Sequence, residues 1–170
     1  MRHLSILALL LGFLSASCGL KTGPPVSATL DGYGILQVDP AVATRPANSG
    51  IASEYPNLSS RHTVINTTDL VAAKLGVTFG INFSLGGLPA GTPITTVIRI
   101  QHPPITNPAT GRTVHVAEDT QQNRSGSSTY SAFIFENDWE IAPGPWTFQV
   151  FTNGQRILEK TFTVTDGRKN

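Results

Sequence analysis

Residues 75–85 read Leu-Gly-Val-Thr-Phe-Gly-Ile-Asn-Phe-Ser-Leu, with Val77, Phe79, Ile81, Phe83 and Leu85 at every second position and Thr78, Gly80, Asn82 and Ser84 between them. In an extended chain successive side chains point to opposite faces, so a strict period of two puts all five apolar residues on one side. A helix would scatter them around its circumference. The segment is therefore expected to be a strand with one face in a core and the other in water. Beyond residue 18 no stretch carries a long 3.6-residue repeat.

Seven further segments read as strands: 30–38, 62–67, 94–102, 113–117, 129–136, 146–152 and 156–164. Gly- and Pro-rich turns separate them at spacings of roughly 8–14 residues, the pattern of an antiparallel sandwich. Asn153-Gly154, between the last two, is a strong two-residue hairpin signal. Such a loop sets Val150 opposite Ile157 and Phe148 opposite Glu159, and the second pairing conflicts with a buried face. Leu158, Phe162 and Val164 form the more apolar face of the last strand, so either a bulge or a longer loop is needed to reconcile the two faces. The expected fold is all-β: a single antiparallel β-sandwich of immunoglobulin-like architecture with about eight strands over residues 28–165. A small β-barrel is the alternative, and residues 166–170 form a polar tail. The one cysteine excludes the Cys…Trp…Cys pattern of true immunoglobulin domains. Two loops stand out. Residues 39–61 have no period, and residues 102–112 are expected to be a rigid turn-forming stretch, since Pro103-Pro104 lacks the amides for a regular ladder.

The N-terminus has a different character. A basic start containing Arg2 precedes eleven residues, 4–14, in which only Ser5 and Gly12 are not strongly apolar. A spanning helix needs ~20 such residues; eleven fits the apolar core of a secretory leader. Ser15, Ala16 and Ser17 then lead to Cys18. This run resembles the bacterial lipoprotein signal, with Ser15 where Leu is usual. The resemblance implies cleavage after residue 17, lipid on the Cys18 sulfur (a diacylglycerol thioether, with palmitate-type chains), and a tether over 18–27. A single acyl chain binds marginally at ~0.8 kcal/mol per buried methylene, whereas two or three hold firmly. Gly19, where an aspartate would mark inner-membrane retention, implies the periplasmic face of the outer membrane in a Gram-negative cell. The membrane is thus one expected partner, reached through Cys18.

Charge and motifs narrow the functional classes. Twelve Lys and Arg stand against eleven Asp and Glu, and loss of the leader removes Arg2, leaving no net charge. Nothing here resembles a nucleic-acid footprint. Ser-nucleophile elbows, phosphate loops, HExxH and CxxC motifs are all absent. No cofactor and no metal is expected. His62, His102 and His115 lack ligand spacing, although a copper or zinc site would form if strands brought them together. The acids at Glu118-Asp119 and at Glu136, Asp138 and Glu140 would suit a glycan hydrolase only if held at the right separation. Trp139, beside acids and before a Pro-Gly-Pro turn, is expected to cap the core, with rim stacking on a sugar or peptide as the other reading.

Three elements carry a resemblance: Gly-Leu-Pro-x-Gly at 87–91, His-Pro-Pro with a following Asn-Pro at 102–108, and Pro-Gly-x-Trp-x-Phe at 143–148. Over roughly residues 30–165 the chain is similar to an uncharacterised bacterial family, one of the domains of unknown function, found in small exported proteins. The resemblance implies one β domain and no established catalytic residue. The expected role is a lipid-anchored envelope module, non-catalytic, that binds or assists an envelope protein or glycan. Its expected binding residues are His102, Pro103, Pro104, Asn107 and Trp139, with no catalytic residue. The rival expectation is an envelope glycan hydrolase using the carboxylates near 118–119 and 136–140.

Overall fold

A computed structural model describes residues 25–38 and 62–166. Cys18, the tether before residue 25, the loop 39–61 and the end of the polar tail lie outside the described residues. Nine strands form two packed sheets: β1 (Ser27–Val38), β2 (His62–Asn66), β3 (Leu70–Ala72), β4 (Thr78–Gly86), β5 (Pro93–Thr106), β6 (Thr113–Arg124), β7 (Ser128–Ile134), β8 (Gly144–Thr152) and β9 (Gln155–Thr165). A four-stranded sheet runs β2-β1-β4-β7, and a five-stranded sheet runs β3-β9-β8-β5-β6. The fold is therefore an all-β sandwich rather than a barrel. It is antiparallel except at β3, which pairs parallel to β9 through Val71 opposite Val164. This three-residue strand was not expected, because three residues are too few to display a period.

The core sits between the sheets and is dominated by aromatic rings. Phe79 of β4, with no exposed surface, lies 5.4 Å from Phe162, 5.7 Å from Phe148 and 5.6 Å from Trp146 across the gap, and 5.5 Å from Phe135 on its own side. The three cross-gap contacts are edge-to-face, the arrangement that the ring quadrupole favours. Ile81, Phe83 and Leu85 continue the same face and are buried. The opposite face of β4 is only partly in water, contrary to the simple alternation. Thr78 and Gly80 are buried, and a Cβ at Gly80 would stand 2.1 Å from the Ser131 carbonyl oxygen of β7. His62 also covers that side: its carbonyl accepts from Asn82 Nδ2 at 3.2 Å, and its ring lies 3.9 Å from that of Tyr130.

The last hairpin settles the register conflict. Asn153 (φ 49°) and Gly154 (φ 76°) form a two-residue turn with both φ values positive, as the primed turns require. The pairing then shifts between Val150 and Phe151, so Val150 faces Leu158, Phe151 faces Arg156, and Ile157 has no opposite residue. The bulge places Phe162 opposite Trp146 and Lys160 opposite Phe148. Lys160, facing inward at the side of the sandwich, sets its ammonium 3.6 Å over the Tyr33 ring of the other sheet and pairs with Asp69.

Strand directions give the sandwich two distinct ends. The near end holds the entry at Pro25, the 87–92 connection, the 125–127 turn and the Asn153-Gly154 hairpin. Gly126 donates to the Leu85 carbonyl at 2.7 Å, Gly91 to that of Ser125 at 2.9 Å, and Thr152 Oγ1 to that of Thr95 at 3.1 Å. The far end holds the end of β1, the start of β2, the turn between β5 and β6, and the connection from β7 to β8. Phe79→Ala is expected to cost about 3–5 kcal/mol, since it empties the junction of both sheets. Urea denaturation at neutral pH measures it, and a loss below about 1 kcal/mol would show that the sheets are held by something else.

Candidate functional site

The residues singled out for binding gather at the far end, although not all as rim groups. β5 does not stop at His102. It continues through Pro103 and Pro104 to Thr106, with its pairing to β6 interrupted between Gln101 and Ile105. Proline lacks an amide to donate, so the ladder breaks while the backbone stays extended. The rigid turn therefore begins later than expected, and His102 keeps the inward phase set by Ile94, Ile98 and Ile100. It is 7% exposed and stacks on Trp146 at 4.8 Å, which makes it a core residue and not a rim contact. Its Nδ1 donates to the Pro103 carbonyl at 2.8 Å, and Nε2 is buried without a partner. Burial disfavours the imidazolium and holds this histidine below its usual 6.5. His115 nearby acts in the same direction, while the Pro103 bond acts against it.

Pro104 is exposed and Pro103 half-buried beside Gly144, where a Cβ on the glycine would come within 2.9 Å of Pro103 Cγ. The turn that follows is organised by Asn107. Its Oδ1 accepts from the Ala109 amide at 2.9 Å, its carbonyl from Gly111 at 2.8 Å, and its own amide donates to Arg112 at 2.9 Å. Asn107 thus shapes the loop from within, the usual role of an Asx side chain. Pro108, Ala109 and Thr110 form its exposed tip.

The β7–β8 connection packs beside it. Its single 3₁₀ turn, Asp138–Glu140, carries Trp139, which is half-buried against the core, in keeping with the capping expectation. Trp146 Nε1 donates to the Ala142 carbonyl at 2.9 Å and ties the connection to β8. Glu140 is 1% exposed, and its Oε2 accepts the amides of Glu136 and Asn137, each at 2.8 Å. Oε1 has no partner. A side chain whose oxygen accepts two backbone amides closes the turn. Burial, followed by the neighbouring Glu140 charge, pushes the Glu136 carboxyl above its usual range.

The other expected groups do not converge. Glu118 and Asp119 are neighbours on β6 and so point to opposite faces, with Glu118 held by Arg99 at 2.5 Å. They lie mid-strand, whereas Glu136, Asp138 and Glu140 belong to the far-end connection. His62 is in the four-stranded sheet beside Tyr130, while His102 and His115 belong to the five-stranded one. Among the described residues no group of His, Cys, Asp and Glu is placed to hold a metal ion. Sequence reasoning missed a depression on the outer face of the five-stranded sheet, lined by Thr95, Val97, Arg99, Phe151 and Thr152, with Arg99 4.9 Å over the Phe151 ring. Its only signal was Val97 and Phe151 breaking an otherwise polar face.

A family model described as a domain of unknown function, DUF3859, matches residues 27–164. Among solved structures, the chain is similar to an immunoglobulin-like protein from Pseudomonas aeruginosa, at 22% identity and a TM-score of 0.57, covering 81% of this chain and 96% of that one. That likeness supports the fold. A Pseudomonas fluorescens alkylpurine DNA glycosylase (17%, TM-score 0.40, 58% and 28% covered) and a Trichoderma reesei β-D-glucoside glucohydrolase (13%, TM-score 0.34, 84% and 19% covered) are too distant to carry any argument. No curated protein matches.

Two measurements test this reading of the far end. His102 binds a proton less readily when folded, so unfolding takes up a proton below pH 6.5. Stability is then complete above 6.5 and falls as the pH drops toward the depressed folded value. His102→Phe, which keeps a ring on Trp146, is expected to flatten that decline in melting temperature between pH 7 and 5; an unchanged slope would contradict it. Glu140→Ala is expected to destabilise by about 2 kcal/mol or more, because two amides lose their acceptor, while Glu140→Gln costs less. Equal losses in denaturant titrations of the two variants would contradict the capping role.

Proposed function

Because the chain belongs to the DUF3859 family, a domain of unknown function, we propose that it is a lipid-anchored module of the bacterial envelope, non-catalytic, which binds or assists an envelope protein or glycan through the far end of its sandwich. The anchor is the Cys18 sulfur, supported by the apolar run 4–14 and the small residues 15–17 that precede it. The tether leads into β1 at the near end.

The observation that carries the reading is the placement of the exposed Pro108–Thr110 tip and of Trp139 at the end opposite the chain entry. Loops on a rigid β scaffold are where such folds recognise partners. β1 ends and β2 begins at this end as well. Of the carboxylates that a hydrolase would need, Glu118 is engaged by Arg99 and Glu140 by two backbone amides.

In cells making the full chain, Cys18→Ser is expected to abolish incorporation of labelled palmitate; equal label in both chains, or none in either, refutes the anchor. Replacing residues 107–112 with a two-residue Asn-Gly turn is expected to leave the melting temperature nearly unchanged while removing the cross-linked partner seen by mass spectrometry. Undiminished capture of the same partner would refute the far-end surface.

A further inference from the structure

Strand register puts an apolar spot on the outer face of the five-stranded sheet. Val97 of β5 lies directly opposite Phe151 of β8, with Thr120 of β6 beyond the one and Arg156 of β9 beyond the other. Paired residues share a face, and Ile98 and Val150, the sequence neighbours of Val97 and Phe151, are buried inside, so this row faces outward. The next row toward the far end reads Glu118, Arg99, Gln149 and Glu159 across the same four strands. On the near side stand Thr95, which donates to Gln122 at 3.0 Å, and the Asn153-Gly154 hairpin. Val97 and Phe151 are thus an apolar floor framed by polar groups. The depression over them measures about 440 Å³, within the ~300–1,000 Å³ usual for small-ligand sites.

The frame is fixed by its own contacts. Arg99 rests over the Phe151 ring at 4.9 Å while Glu118 takes its Nε–H at 2.5 Å, which leaves the terminal amines of the guanidinium as donors. Gln149, only 6% exposed, donates to Glu159 at 2.7 Å, and Arg156 donates to the same carboxylate at 2.5 Å. Beyond Phe151 the ladder between β8 and β5 ends, and Thr152 Oγ1 bridges to the Thr95 carbonyl at 3.1 Å. Arg99 and Arg156 stand against Glu118 and Glu159, so the frame carries no net charge. It therefore has no overall pull on a phosphate or an acidic sugar.

We propose that this depression is a binding site for a neutral pyranose unit of a glycan, separate from the far-end surface and independent of the Cys18 anchor. A pyranose is amphipathic in the way the site requires. Its C–H face lies on Val97 and Phe151, and its equatorial hydroxyls meet Arg99, Thr95 and Asn153 at the rim. The Arg99 amines donate to one hydroxyl while the Glu118 carboxylate accepts from its neighbour, a pairing that a neutral polyol satisfies and a purely apolar ligand does not. A peptide fits less well. Val97 and Phe151 each have a strand partner on both sides, so no free edge here can take up an extended chain.

The test titrates the protein, purified from producing cells in a detergent without sugar headgroups, with neutral oligosaccharides of glucose, galactose, mannose and N-acetylglucosamine. Saturation-transfer and amide-shift NMR read the binding. At least one oligosaccharide is expected to bind with a dissociation constant below about 10 mM. Saturation should be strongest on one C–H face of a ring, with amide shifts centred on Val97, Arg99 and Phe151. Phe151→Ala, and Arg99→Met, which keeps a stem over the ring, are each expected to weaken binding about tenfold or more. If Phe151→Ala fails to fold, Arg99→Met alone decides. No binding by any of the four sugars, or affinity indifferent to Arg99→Met, overturns the site, as does binding confined to charged saccharides or to peptides. Shifts at residues 107–112 and Trp139 instead overturn this site and support the far-end one.

Discussion

The structure depends on one packing constraint: Phe79 must stand between the two sheets with rings around it on every inward side. Its neighbours come from β7, β8 and β9 and from the residue just past β7, so a single side chain joins segments that are far apart in sequence. A core of this kind needs neither disulfide nor metal, because interlocking rings bury large apolar areas and accept few alternative arrangements. The register of every strand that touches Phe79 is thereby set, since a slip of one residue would turn a ring out into water. The bulge at Ile157 follows from this demand. It keeps the tight Asn153-Gly154 turn and still delivers Phe162 and Val164 to the interior.

The sandwich architecture and most strands were legible in the residues, because period-two alternation is a direct image of a half-buried sheet; the order of the strands within each sheet was not. β4 shows this most clearly. What escaped was structure that does not depend on alternation. The second half of β6, Glu118 to Arg124, has no apolar residue. It is held as a strand by its ladder with β5 and by side-chain pairs such as Thr95 with Gln122 and Asn123 with Thr96. β3 was too short to show a period. The Pro103-Pro104 pair read as a turn, whereas proline removes only the ladder bonds. At the candidate site, Trp139 beside a turn and the Asn-Pro element were visible as features. The burial of His102 was not drawn, although the expected strand 94–102 already put it in phase with Ile94, Ile98 and Ile100; the adjacent Pro103-Pro104 read as a turn and set the histidine at a rim.

The far end combines rigid support with an exposed tip. Asn107 closes its own turn, Glu140 closes the neighbouring one, and Trp146 anchors the second connection to β8. Glu140 is engaged by two backbone amides and Glu118 by Arg99. In the binding role proposed above, recognition falls to the shape of the tip and its few side chains.

Among the described residues β6 is an edge strand of twelve residues with no neighbour on its outer side, and a long open edge is ordinarily an invitation to sheet-to-sheet fusion between molecules. In its second half the inward row of Asp119, Gln121 and Asn123 and the outward row of Glu118, Thr120 and Gln122 give an arriving strand amides to bond but no greasy surface to cover. Dehydrating those groups costs more than the new ladder returns. Copies of this domain at high concentration would consequently meet as separate bodies, without polymerising into ribbons.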